Sequence, residues 1–231
     1  MYLYGLHIGL IYFAEQSIDS SVTAVLFGSF PFFVALLSRF RLRAERIHGP
    51  AWLGLVLGFL GVVVITFQQW QLSKDMLIGT LLALGGTFAA AHGLIVHKVH
   101  HVDQNIIVSA TLQMSLGGIP LLLGAILFEQ VSDFSLSAAS VGSILYLAVF
   151  ATVLTFLGYY WLLRKTSAVI VSLVAFVTPV IAIAIGLVFF DESMSVPIAA
   201  GTVLILSGII LVIRKPEAAK ETTGNTAEQV R

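Results

Sequence analysis

The 231-residue chain is 58% hydrophobic and only 10% charged, with 12 acidic and 12 basic side chains that cancel at neutral pH. Soluble domains carry roughly 25% charged residues, so a protein that meets water on every side is excluded. No cysteine is present, which removes disulfides, thiolate catalysis and cysteine metal sites.

Apolar residues fall in blocks of about 20, the helix length that crosses a hydrocarbon layer about 30 Å thick. Eight segments are predicted, at about 1–16, 20–38, 50–69, 76–97, 105–127, 138–163, 167–189 and 196–213. Strand alternation is nowhere sustained, and backbone exposed to lipid must close its own hydrogen bonds, so the segments are read as helices. The first, "MYLYGLHIGLIYFAEQ", has neither a basic n-region nor a cleavage site and reads as a membrane helix, not a signal peptide. It offers only about 14 apolar residues before Glu15, roughly 21 Å of helix. Segment two carries Pro31 and segment seven Pro179, and segment four carries His92. The tail, residues 214–231, has a water-soluble composition and is expected to be disordered.

Basic residues set the expected orientation. Arg39, Arg41, Arg43 and Arg46 follow segment two, and Lys98 follows segment four. Arg164 and Lys165 follow segment six, and Arg214, Lys215, Lys220 and Arg231 follow segment eight. All lie on one side of the alternating topology, and only Lys74 lies on the other, which places both termini in the cytoplasm of a multi-pass inner-membrane protein.

Tyr12 and Pro31 recur as Tyr160 and Pro179, a shift of 148. Glu45, Gly54, Leu57 and Gly61 recur as Glu192, Gly201, Leu204 and Gly208, a shift of 147. The charge rule puts the first Glu loop inside and the second outside, so the copies run in opposite directions. Such an inverted repeat is the architecture of many secondary transporters. In this register Met1 falls on Val149, inside segment six, so the chain is expected to begin in mid-helix. The reading is an incomplete first repeat of three helices at 1–70 and a complete second repeat of five at 76–213.

The paired proline helices "FGSFPFFVALLSRFRLRAER" and "VAFVTPVIAIAIGLVFFDES" are each followed by a glycine helix, "WLGLVLGFLGVVVI" and "AAGTVLILSGIILVI". This pattern resembles the EamA-like branch of the drug/metabolite transporter superfamily. The resemblance implies a five-plus-five inverted-repeat fold, present here as three plus five, with a substrate path between the halves. Against the family's plan, the chain is expected to lack the first two helices.

Tyr4, His7 and Ile11 share one face of segment one, and the 148 shift carries them to Thr152, Thr155 and Tyr159 on segment six. Polar groups disfavour lipid, so both stripes are expected to face a central site, lined also by Thr23, Phe27, Ser172 and Phe176. The alternative for these groups is hydrogen-bonding between helices, worth roughly 0.6 kcal/mol per contact. Pro31 and Pro179 are expected to kink helices beside that path. His92, an ionisable group within the bilayer, is a candidate for substrate or proton binding.

His97, His100 and His101 sit close together, yet with only Asp103 nearby they read as a solvated loop, and no metal or other cofactor is expected. The carboxylate pairs Glu15/Asp19 and Glu129/Asp133 read as external loop charges. Gly5/Gly9 and Gly54/Gly58 are small-xxx-small faces that serve packing within the chain or a homodimer, without the sequence choosing. Trp52, Trp70 and Trp161 read as headgroup anchors.

The functional expectation is a permease or exporter for a small metabolite such as an amino acid, working by alternating access. No Walker motif is present, so a substrate or proton gradient would drive it. The expected partners are a small-molecule substrate and the lipid bilayer, not nucleic acid. Two alternatives stand beside it: a non-transporting fragment or assembly partner, and an intramembrane enzyme, disfavoured because the ionisable groups are scattered in depth.

Overall fold

The computed structural model describes residues 2–18, 20–42, 47–66, 74–100, 104–128, 137–189 and 195–214. They form helices in the order α1 (Tyr2–Glu15), α2 (Ser20–Phe27), α3 (Phe30–Arg41), α4 (Gly49–Thr66), α5 (Lys74–His100) and α6 (Ile106–Phe128). There follow α7 (Ala138–Tyr146), a π-helical stretch (Leu147–Leu154), α8 (Thr155–Lys165), α9 (Ala168–Ser172), α10 (Val174–Phe189) and α11 (Val196–Ile213). Among the described residues six helical spans are long and apolar enough to cross a membrane, and Gly49–Ile65 is a shorter apolar helix. The chain is an all-α polytopic membrane protein, and all eight apolar segments of the sequence are helical.

Two segments break where their sequence interrupts the helix. In segment two the break falls at Gly28–Ser29, and Pro31 sits in the first turn of α3. There its missing N–H would have had no helical acceptor, and its fixed φ suits the start of a helix. The Ser29 carbonyl accepts from the N–H groups of Phe32 and Phe33 at 3.0 and 3.2 Å. Pro31 therefore opens a half-helix, whereas a kink in a continuous one was expected. Segment seven breaks at Leu173, and Pro179 lies inside α10.

Segment six begins at a capping box: the Ser137 hydroxyl accepts from the Ser140 N–H at 3.1 Å, and the Ser140 hydroxyl from the Ser137 N–H at 2.9 Å. Further along, Thr152 Oγ1 donates to the Leu147 carbonyl at 3.1 Å and Thr155 Oγ1 to that of Phe150 at 2.9 Å. Both bonds reach back five residues and follow the wider π turn.

The chain divides into two packing units, Met1–Glu45 with Gln69–Ser172 and Arg46–Gln68 with Leu173–Arg231. This division differs from the two sequence repeats, because the glycine helices of both copies pair with each other.

In the first unit α1 runs antiparallel to α5. Gly79 lies against Ala14 and Ile18, and Gly86 against the His7 carbonyl and Ile11. Ala14, Ile18, Val22 and Ala83 form the core there. α1 also crosses α6, where a Cβ on Gly5 would stand 2.6 Å from the Gly117 carbonyl oxygen. Small residues at such crossings let backbones approach closely, the main source of helix attraction in lipid.

In the second unit α4 and α11 are antiparallel. A Cβ on Gly54 would lie 2.6 Å from the Gly208 carbonyl oxygen, and one on Gly61 2.6 Å from that of Gly201. Gly58 makes room for the Phe176 ring of α10. The small-residue faces that the sequence left open thus pack within the chain.

Asp19, Arg43, Glu45, Arg46, Trp70, His101, Asp103, Glu129, Asp133, Glu192 and the tail from Lys215 lie outside the described residues.

Candidate functional site

The polar and aromatic groups expected to line a path are best assembled in the first unit. His7, half-buried on α1, approaches the Gly86 carbonyl of α5 with Nδ1 at 3.0 Å. A carbonyl only accepts, so Nδ1 carries the proton and the neutral ring keeps Nε2 as an acceptor. The same imidazole stacks on Phe27 of α2 at 5.8 Å, and Phe27 stacks on Phe30 of α3 at 5.2 Å. One helical turn along α3, Phe33 meets Phe88 of α5 edge-on at 5.6 Å. His92, one turn beyond Phe88, lies parallel to it at 6.4 Å. Two runs of three rings, each with a histidine at one end, therefore meet on α3.

Local sequence produces this arrangement. Gly85 and Gly86 thin α5 where α1 crosses it, and the Gly28–Ser29 break separates Phe27 from the helix bearing Phe30 and Phe33. Thr23 is buried on α2, and the buried Ser172 hydroxyl donates to the Val169 carbonyl at 2.7 Å.

The second stripe has a different surrounding. The hydroxyls of Thr152 and Thr155 are satisfied within their own segment, Thr155 is exposed, and no residue of α7 or the π stretch is buried. Tyr159 is half-buried against Phe156 and Tyr160. Phe176 and Pro179 belong to the second unit, where Phe176 is fully buried. The Tyr4 side chain lies outside the described residues.

One cluster was not anticipated. α5 continues through His100, so His97 is helical and buried, where a solvated loop was expected. Its ring stacks on Tyr160 of α8 at 4.2 Å, and the Tyr160 hydroxyl donates to Gln113 Oε1 of α6. The neighbouring Lys98 ammonium donates to the Leu163 and Thr166 carbonyls at the end of α8. Gln113 is the sole amide side chain in α6, a polar signal in an apolar run. The pairing of His97 with Tyr160, 63 positions away, left no sequence signal.

The EamA-like transporter family model matches residues 2–67 and 77–214, and the chain belongs to that family. An uncharacterized transporter of Archaeoglobus fulgidus is 33% identical over 201 residues, covering 87% of this chain and 70% of the relative. The Bacillus subtilis transporter YoaV, also uncharacterized, is 27% identical, with 89% and 70% covered. Protein PecM of Dickeya dadantii is 26% identical, with 90% and 69% covered. A crystal structure 17% identical in sequence superposes with a TM-score of 0.79 over 92% of this chain and 72% of the other, a likeness of fold.

Proposed function

We propose that the protein is a secondary active carrier that moves a small amphipathic or zwitterionic metabolite, such as an amino acid, across the cytoplasmic membrane by alternating access. Family membership supports membrane transport as the general activity. The observation that carries the finer reading is His7, an imidazole on the apolar helix α1 whose Nδ1–H is held by Gly86 while Nε2 is left as an acceptor. Aromatic rings beside it suit a solute with an apolar side. In this reading the basic ends of α3, α5 and α8 face the cytoplasm, and a proton or substrate gradient is the driving force. No enzymatic activity is proposed.

The test is saturable uptake into proteoliposomes containing the full chain. His7→Ala and Tyr159→Phe should each lower the maximal flux at unchanged protein incorporation. Unchanged flux in both variants removes this lining.

One observation favours a second reading, an assembly partner: Ala138–Leu154 has no buried residue. A single, monomeric species in mild detergent and in cross-linked membranes would count against it.

A further inference from the structure

Hydroxyls inside an apolar helix commonly bond back to a carbonyl of their own helix. The buried Ser38, Thr87 and Ser172 do so, donating to Ala35, Ala83 and Val169 at 3.0, 2.8 and 2.7 Å. Thr178 and Ser207 do the same toward Val174 and Val203. Ser109 of α6 departs from that habit: it is 2% exposed, and its hydroxyl has no hydrogen-bond partner. Among the described residues no other buried side-chain polar atom is left in this state. Buried polar atoms are normally satisfied, so such an orphan marks a place that water or a ligand fills in some state of the molecule.

One turn further along the same face of α6 stands Gln113. Its Oε1 accepts the Tyr160 hydroxyl of α8, and the Tyr160 ring is held in turn by its stack on His97 at 4.2 Å. That bond sets which way the amide points. Oε1 is turned to α8, and the N–H groups of Nε2 have no partner among the described residues. Gln113 is half-buried, which leaves its amide within reach of a solute, and Ser109 is the more deeply enclosed of the two.

We propose that Ser109 and Gln113 form a binding subsite for the carboxylate of a small solute. Two amide N–H groups and one hydroxyl are offered within one helical turn, and a carboxylate is an acceptor only, with about four lone-pair sites to fill. No acidic residue occurs in α6, α8 or α9, and the one in α5, Asp75, lies at the opposite end of that helix from His97. An anionic oxygen therefore meets no like charge from these helices. An ammonium group has donors only; it would have to compete with Tyr160 for Oε1 and would leave the amide N–H groups unmatched. The inference deepens the carrier reading and rests on it, giving a zwitterionic solute a place for its acid end apart from His7. A lipid phosphate offers the same kind of acceptor oxygen, so the test separates the two sources.

Binding is measured on the full chain in lipid nanodiscs by saturation-transfer NMR. The probes are butyrate, butyramide and n-butylammonium, which share a chain and differ in the head group. After subtraction of empty discs, the butyrate signal should exceed that of n-butylammonium several-fold. Butyramide should fall between them. Gln113→Glu keeps an acceptor for the Tyr160 hydroxyl and removes both amide N–H groups, so butyrate should drop to the level of n-butylammonium. Ser109→Ala removes a hydroxyl that has no bond to lose. It should weaken the butyrate signal while the unfolding temperature stays the same or rises, a pairing that a structural role would not produce. Ser115→Ala, exposed on another face of α6, should change neither. Equal signals from butyrate and n-butylammonium overturn the proposal, as does an unchanged butyrate signal in either Gln113→Glu or Ser109→Ala. A butyrate signal seen in phosphatidylcholine discs and lost in phosphatidylglycerol discs would give the donors to a lipid phosphate and overturn the solute. Because binding is read without flux, a failed transport assay with intact butyrate selectivity would sink the carrier reading alone. Saturable flux without that selectivity would sink the subsite alone.

Discussion

Gly54 faces Gly208 across the α4–α11 crossing, and Gly61 faces Gly201 in the same way. The sequence repeat equates Gly54 with Gly201 and Gly61 with Gly208, so each contact is the other with its partners exchanged. An exchange of that kind is what a local two-fold relation between antiparallel helices produces. Gly208→Leu should force the helices apart and cost about 1–3 kcal/mol, as overpacking does. Thermal unfolding in detergent should show the loss. Gly118→Ala, where nothing lies within 4 Å, serves as control and should be neutral or slightly stabilising.

Gly58 and Phe176 form a second steric pair, since a Cβ at Gly58 would meet the Phe176 ring. Gly58→Ala should destabilise the chain, and Phe176→Leu should recover part of that loss. A double-mutant cycle should give a coupling of about 0.5–3 kcal/mol, the range for residues in contact. Simple additivity would separate the two positions.

Lys98 donates to two carbonyls at the end of α8. Lys98→Met keeps the apolar stem and removes both bonds. The expected cost is about 1.5–3 kcal/mol, typical of hydrogen bonds to a charged group. Proteolytic nicking after α8 should increase in parallel, because the last turn loses its partner.

His7 offers a way to separate a substrate role from simple helix bonding. The Gly86 carbonyl also accepts within α5, so losing the imidazole costs only about 0.6 kcal/mol, the average for such contacts in membranes. His7→Leu should therefore leave thermal stability nearly unchanged while lowering flux. A fall in flux matched by an equal fall in stability would assign His7 to bonding between helices.

Much of the fold was legible because lipid imposes a simple rule of length and polarity. The eight apolar segments rest on that rule. The position of the break in segment two was less legible: Pro31 drew attention, yet Gly28–Ser29 interrupts the helix and the proline starts the next one. The stripe of Thr152, Thr155 and Tyr159 assumed α-helical spacing throughout, and the π stretch over Leu147–Leu154 changes that spacing. Tyr12 and Tyr160 are equivalent in sequence, but one is 52% exposed and the other 3%. Only α8 has His97 and Gln113 opposite its tyrosine, a difference that a repeat alignment cannot carry.

The α4–α11 contact also has a history in time. Gly61 and Gly201 are 140 residues apart in the chain, counted as 201 minus 61. At a synthesis rate of about 5–20 residues per second, α4 waits roughly 7–28 s for its partner to emerge. Through that interval its glycine face has only lipid or a surrogate helix to meet. The close pairing of α4 with α11 thus forms only after every helix between them has been made, and the ribosome's pace becomes part of how this membrane protein assembles.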